Sequence, residues 1–116
     1  MKKQIAKDEG EKALAAYLAG SEPSLATATR YLLQELASLH PGGSVEVRVP
    51  PFGAVQCVEG LSHTRGTPPN IVELEPKAFI ELATGKASFA ELKAAGRLSA
   101  SGTRSDLTDL LPIFSA

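Results

Sequence analysis

Valine and alanine are segregated along this chain, and the segregation limits the folds that it can adopt. All six valines fall between Val45 and Val72, whereas only one of the seventeen alanines, Ala54, lies between residues 41 and 75. Side chains branched at Cβ suit a pleated sheet and lose rotamer freedom in a helix, while alanine is the best helix former. The pattern therefore predicts a central β region with helical segments on either side.

The composition is that of one folded domain. The chain has 116 residues, of which 43% are hydrophobic and 22% are charged. Its net charge of -1 provides no bulk attraction to nucleic acid or to an anionic membrane. The sequence has no long apolar run for stable membrane insertion, and its single cysteine, Cys57, cannot form an intramolecular disulfide. We therefore expect a cytoplasmic protein that binds no nucleic acid.

Two helices are predicted before the central region. Residues 4–19 carry a weakly periodic apolar set, and a strongly amphipathic helix begins within residues 21–24 and ends before Pro41. We divide the chain accordingly. Residues 1–20 form an N-terminal helix that is expected to be mobile or to make contacts with a partner, and residues 21–116 form the main domain.

Three short strands are predicted in the centre. Residues 44–49 alternate valines with polar and charged residues, and a proline-rich turn leads to a second strand over residues 54–59. These two strands should pair as an antiparallel hairpin. A third strand over residues 71–74 follows a connection, residues 60–70, that is long for a compact domain, and loops of that length are often functional.

The C-terminal flank carries the clearest helix signals. A helix is predicted over residues 76–84, and a second short helix over residues 88–95 begins with a capping box. A fourth strand follows over residues 97–101, and a further capping box predicts a last helix within residues 103–112. A sheet covered by helices on one face is the natural packing of these elements.

The residues that could carry chemistry are few. The sequence has no glycine-rich phosphate loop, no His-Glu-x-x-His and no Cys-x-x-Cys, so we expect neither a cofactor nor a metal. Cys57 and His63 would form a nucleophile and base only if both faced one accessible pocket. A lone cysteine in an alternating strand is more often a small buried hydrophobe, so we expect no enzymatic activity and no catalytic residue.

A small anion-binding patch is the other open hypothesis. Arg65, together with His63 and Arg48, could bind a carboxylate or phosphate beside the long loop. The alternative is that His63 ties the loop to backbone groups and that the two arginines stabilise the sheet by pairing with Glu46, Glu59 or Glu73. The sequence leaves both alternatives open.

A longer stretch of the sequence resembles a known family. Residues 44–70 read SVEVRVPPFGAVQCVEGLSHTRGTPPN, and residues 71–102 read IVELEPKAFIELATGKASFAELKAAGRLSASG. Both segments resemble the bacterial branch of the sterol carrier protein family found in actinobacteria. The resemblance covers about three quarters of the chain and begins near Leu25.

The resemblance implies an α/β (α+β) fold, with a mixed, mostly antiparallel sheet of four or five strands covered on one face by helices, here with an N-terminal helical extension. It also implies non-enzymatic binding or carriage of a fatty acid, an acyl-CoA or a sterol-like lipid in a cavity between the helices and the sheet. By this resemblance the cavity would be lined by Val45, Val47, Leu74, Phe79, Leu82, Phe89, Leu92, Leu110 and Phe114, with Arg65 and His63 near the polar head group.

An interaction module is the alternative function. Sterol-carrier-like domains also occur as accessory C-terminal parts of relatives of thiol-dependent maleylpyruvate isomerases. Alanine-rich helices can pack close to a sheet and leave no cavity between them. This alternative predicts a filled core and an exposed apolar patch on the N-terminal helix, through which a second copy or a partner protein would bind.

Overall fold

Helices on one face of a four-stranded sheet form the part of the chain that the structure describes. A computed structural model describes residues 4–60, 70–103 and 105–113. In chain order the elements are α1 (Lys7–Leu18), a 3₁₀ turn (Glu22–Ser24), α2 (Leu25–Leu39), β1 (Val45–Val49), β2 (Gly53–Cys57), β3 (Asn70–Leu74), α3 (Pro76–Ala83), α4 (Phe89–Ala94) and β4 (Leu98–Ser101). The predicted α+β class is confirmed.

The sheet is mixed, and its alternating sequence gives it one buried face. The strand order is β2-β1-β3-β4, and β1 is antiparallel to β2 but parallel to β3, while β3 and β4 are antiparallel. Val45, Val47 and Val49 of β1 are all buried. Val47 lies between Val55 of β2 and Val72 of β3 in the register, so the inner face is a continuous apolar layer.

The C-terminal elements are held together by local polar contacts. The Ser88 side chain accepts a hydrogen bond from the Glu91 backbone N–H at 3.0 Å, and the Glu91 carboxylate accepts one from the Ser88 backbone N–H at 2.8 Å. This is the predicted capping box of α4. The Arg97 side chain, just before β4, forms ion pairs with Glu81 at 3.0 Å and with Glu75 at 3.2 Å. These contacts join α3 to the segment between α4 and β4.

The N-terminal helix packs against α2. Leu14 of α1 is buried, and Gly10 lies so close to the Tyr31 ring that a Cβ atom at position 10 would overlap it. Glycine is therefore required for the close approach of the two helices. Whether α1 also moves or binds a partner stays a prediction.

Strand β2 ends earlier than the sequence predicts. It stops at Cys57, because Val58 adopts a φ of 68° in the left-handed region, which is strained for a branched side chain. The Val58 backbone N–H donates to the His40 carbonyl at 2.7 Å, and the Val58 carbonyl accepts from the Ser44 hydroxyl at 2.8 Å. These bonds compensate for the strain and turn the chain away from the sheet before Gly60.

The predicted last helix is wrong for the described residues 105–113, which form a turn over residues 108–110 and otherwise irregular backbone. The Asp106 side chain accepts a hydrogen bond from the Thr108 backbone N–H at 3.0 Å, and this local bond competes with helix formation. The Ile113 backbone N–H donates to the Ala83 carbonyl of α3 at 2.8 Å, while Leu107 and Leu111 are buried. The segment is thus anchored by tertiary contacts rather than by a helical hydrogen-bond ladder.

Candidate functional site

Most of the lining residues expected from the sequence are packed as core. Val45, Val47, Leu74, Phe79, Leu82, Phe89 and Leu92 are each at most 5% exposed and belong to one hydrophobic cluster. Leu110 is half-buried against this cluster. His63, Arg65 and Phe114 lie outside the described residues. The structure therefore brings the described members together as tightly packed neighbours, and their role in ligand binding stays a prediction.

A groove lies elsewhere, between α2 and the inner face of β2. It has a volume of about 700 Å³. Apolar groups form much of its wall, and they come from Leu33 and Ala37 on α2, Phe52 in the β1–β2 turn, Val55 on β2 and Ile5 before α1. A concave, mostly apolar surface of this size is typical of a binding site for a small molecule.

Small residues create this groove. Gly53 lies opposite Val49 in the register, on the face of the sheet that the helices cover. A Cβ atom at Gly53 would lie 3.5 Å from the Leu33 Cδ1 atom, so only a small side chain would fit there in ordinary contact. Ala37 is also small and half-buried on the helix side. Beside this close approach of Leu33, Gly53 and Ala37 add little side-chain volume to the groove that both of them line.

One charged side chain lines the groove in the described part of the chain, and it belongs to Arg30 of α2. Its Nε–H donates to the Phe52 carbonyl at 3.2 Å, and its guanidinium carbon lies 5.5 Å from the centre of the Phe52 ring. This distance is within the range of a cation–π interaction. The two contacts fix an exposed cation beside the apolar wall.

A segment before α1 closes one side of the groove. The side-chain amide of Gln34 donates to the Ile5 carbonyl at 2.9 Å and accepts from the Ile5 backbone N–H at 2.9 Å. Gln4 and Ile5 both line the groove. Because Gln34 satisfies both backbone groups of one residue, it holds the main chain of this segment in a fixed place on α2.

A shallower concavity, of about 400 Å³, lies on the outer face of the sheet. The Arg48 side chain lines it and forms an ion pair with Glu46 at 3.3 Å. The pairing of Arg48 with a glutamate, one of the two alternatives for this arginine, is therefore confirmed. This ion pair offsets the charge that an anion would need.

Cys57 is buried at the end of β2, as expected for a small hydrophobic residue. Burial raises the pKa of the Cys57 thiol to about 11, and a thiol in this state is a poor nucleophile near neutral pH. In the described part of the chain, no three His, Cys, Asp or Glu side chains are close enough together to hold a metal ion. Cys57 therefore lacks the surroundings of an activated nucleophile, and its hypothetical partner His63 lies outside the described residues.

The sequence analysis missed the residues of the groove. Arg30, Leu33, Gln34 and Ala37 recur at the spacing of one helix face, beside the apolar stripe that was identified on the same helix. That spacing was an available signal, since Leu33 and Ala37 extend the apolar surface beyond the stripe. That these residues together line a groove beside β2 depends on tertiary packing and could not be predicted from the pattern.

Comparison with known proteins identifies the family. The family model described as "Bacterial SCP ortholog" matches residues 21–113, which is most of the chain. A search of the curated proteins found no match. None of the described helices has the length and apolar character needed to cross a membrane. The fold, with its mixed sheet and helical cover, agrees with the family match, and the chain belongs to the bacterial sterol carrier protein family.

Proposed function

We propose that the protein binds a lipid-like apolar ligand without transforming it, and that the apolar chain of the ligand lies in the groove between α2 and β2. The observation that carries this proposal is the apolar wall of a groove of about 700 Å³ in a sterol carrier family member. Desolvating an alkyl chain there would contribute about 0.8 kcal/mol for each buried CH₂ group.

The packing of the core supports the groove as the binding place. Phe79 and Val45 are fully buried, and Leu92 is nearly so. A ligand among the lining residues that the resemblance implies would have to separate these side chains and lose their contacts, whereas a ligand in the groove would enter volume that is already open. The proposal accordingly differs in location from the cavity that the sequence resemblance implies.

Binding without catalysis is supported by the chemistry of the groove. Its lining includes a guanidinium, side-chain amides and a hydroxyl, in Arg30, Gln4, Gln34 and Ser38. A guanidinium and an amide are poor proton-transfer groups at neutral pH, and Cys57 has a raised pKa. These groups can orient a polar head group by hydrogen bonding.

The packed core agrees with one expectation of the interaction-module alternative, but the structure does not show the other. That alternative predicts an apolar patch on the first helix, but α1 exposes a single large apolar side chain, Leu18, and otherwise presents charged residues and alanines. Contact of a second copy or a partner protein through α1 stays a prediction.

Native mass spectrometry and lipid extraction test the proposed function. Ala37→Trp would place an indole in the groove, and Ala90→Trp, at an exposed position on α4, is the matched control. We expect a lipid adduct on the wild-type protein and on Ala90→Trp, and a large loss of the adduct on Ala37→Trp, with all three proteins melting at the same temperature once the lipid has been removed.

Two results would contradict the proposal. Full occupancy of Ala37→Trp would place the ligand outside the groove. An absence of adducts, with no thermal stabilisation by excess acyl ligand, would exclude binding, because a ligand at 100-fold over its Kd adds about 2.7 kcal/mol to the free energy of unfolding.

A further inference from the structure

The segment before α1 forms one wall of the groove, and its backbone is held through a single side chain. Gln4 and Ile5 line the groove. In the described residues, the two hydrogen bonds that tie this segment to α2 both belong to the Gln34 amide, which donates to the Ile5 carbonyl and accepts from the Ile5 N–H. Ile5 is half-buried against the core, and Gln4 is exposed. The segment is therefore held by few contacts.

Helix α1 is anchored independently of this segment, which we call the strap and define as residues 4–6. Gly10 lies against the Tyr31 ring, and Leu14 is buried. Both contacts lie within the helix, so they are kept if the strap moves. Ala6, the last residue of the strap, is exposed and has an extended backbone with φ -65° and ψ 149°. Rotation at Ala6 can therefore swing the strap away from α2 while the helix stays folded.

The other walls of the groove are held more firmly. Helix α2 has six buried residues, and β2 is paired with β1 along its whole length. Displacing either element would disrupt the core or the sheet. The strap is consequently the wall that can move at the smallest cost, because it can detach locally without global unfolding.

We propose that the strap is a gate, and that it must detach from Gln34 before the apolar chain of a ligand can enter or leave the groove. This inference rests on the proposed function, because it describes how the same groove exchanges its ligand. The family match begins at residue 21, so the gate lies outside the matched residues.

The rate constants of ligand exchange test this inference, because a gate and a fixed wall affect them differently. A gate that opens more often raises the association and dissociation rate constants together and leaves Kd nearly unchanged. A weakened wall raises the dissociation rate constant alone. The probe would be cis-parinaric acid, a fluorescent fatty acid, in stopped-flow measurements of its association and of its displacement by excess dodecanoate.

Two variants should change the motion of the strap in opposite directions. Gln34→Met removes both hydrogen bonds to Ile5 but keeps a side chain of similar length in the groove, and it should favour opening. Ala6→Pro should hinder opening, because the φ of Ala6 already suits proline and the ring restricts the backbone at the hinge. Gln56→Ala, exposed on β2 and outside the lining of the groove, is the matched control.

We expect Gln34→Met to raise both rate constants by about 10-fold, Ala6→Pro to lower both, and Gln56→Ala to match the wild-type protein. A rise confined to dissociation in Gln34→Met, or exchange in Ala6→Pro that is not slowed, would overturn the gate and leave lipid binding in place. If the probe does not bind the wild-type protein, the proposed function fails, and the gate fails with it.

Discussion

The helical layer is tightly packed around α3 but leaves a groove between α2 and β2. Around α3, Phe79 is fully buried and Ile80 and Leu82 are nearly so. Between α2 and β2, by contrast, Ala37 and Gly53 both line a groove of about 700 Å³. Both regions lie on the covered face of one sheet. The difference is that the groove is lined on each element by a residue with little or no side chain, whereas the core around α3 is filled by large apolar side chains.

The polar contacts of the two regions also differ. In the region of α3, α4 and β4, the Ser88–Glu91 capping box joins residues that are close in both sequence and space. The ion pairs of Arg97 join side chains that are close in space. Beside the groove, Gln34 binds the backbone of Ile5, which is 29 residues away along the chain. We call the region of α3, α4 and β4 the closed region and the region between α2 and β2 the open region.

Truncation of a core side chain should have the largest effect, and it tests the contrast directly. Phe79→Ala should lower the free energy of unfolding by about 3–5 kcal/mol, because it leaves a cavity in a packed cluster. Val55→Ala, on the half-buried wall of the groove, should cost about 1 kcal/mol or less. Urea unfolding of both variants measures the difference, and equal losses would remove the distinction between the two regions.

Loss of the Gln34 amide should have an intermediate effect on the open region. Gln34→Ala removes both hydrogen bonds to Ile5 and should lower the free energy of unfolding by about 1–2 kcal/mol. Hydrogen exchange at the Ile5 amide should accelerate, while exchange in β1 should change no more than the lost stability requires.

Two controls sharpen this test. Gln34→Glu keeps an acceptor for the Ile5 N–H but removes the donor to its carbonyl, so an intermediate result is expected. Gln56→Ala, at an exposed position on β2, should leave the Ile5 amide unaffected. Unchanged exchange at Ile5 in Gln34→Ala would show that the segment is held by other contacts.

Removal of the helix cap should have the smallest effect, in the closed region. Ser88→Ala should lower the free energy of unfolding by about 1 kcal/mol, because the Glu91 backbone N–H loses its acceptor. Ser99→Ala, exposed on β4, is the matched control and should be near neutral. A loss at Ser99→Ala equal to that at Ser88→Ala would contradict the role of the cap.

The same cap has a pH dependence of known sign. The pKa of the Glu91 carboxyl is lowered, mainly by the hydrogen bond that it accepts from the Ser88 backbone N–H and to a smaller extent by a hydrogen bond with the Ser88 side chain. A lowered pKa in the folded state contributes stability that is present above the ordinary pKa of glutamate and is lost as the pH falls through the lowered value. The difference in the free energy of unfolding between the wild-type protein and Glu91→Gln should therefore shrink at low pH, where the Glu91 carboxyl is protonated.

Local signals in the sequence predicted individual helices and strands well. The capping box of α4 and the alternation of β1 each depend on residues within one element, and both are confirmed. The helix predicted within residues 103–112 was wrong, because the Asp106 side chain bonds locally to Thr108 and a capping-box pattern does not reveal that competition.

The open region could not be predicted from the sequence in the same way. The groove depends on the distance between Leu33 and Gly53, which belong to different elements and whose approach is set by the packing of α2 on β2. That Arg30 forms no ion pair with the described residues is likewise visible only when the positions of the nearby carboxylates are known. A pattern of residue types specifies a helix or a strand, whereas the open volume between two elements depends on how their side chains pack in three dimensions.

Gln34 has a further consequence for how freely the segment before α1 can change during evolution. It binds the peptide groups of Ile5 and makes no hydrogen bond to that residue's side chain, so substitutions at position 5 need not disturb the contact. Position 34 is constrained, because an amide is needed to donate and accept at once. The family match begins at residue 21, so one glutamine inside the matched domain holds a segment that lies outside it. Drift in the segment can therefore alter the wall of the groove, while a replacement at position 34 weakens the hold on the segment, partly for glutamate and more fully for alanine.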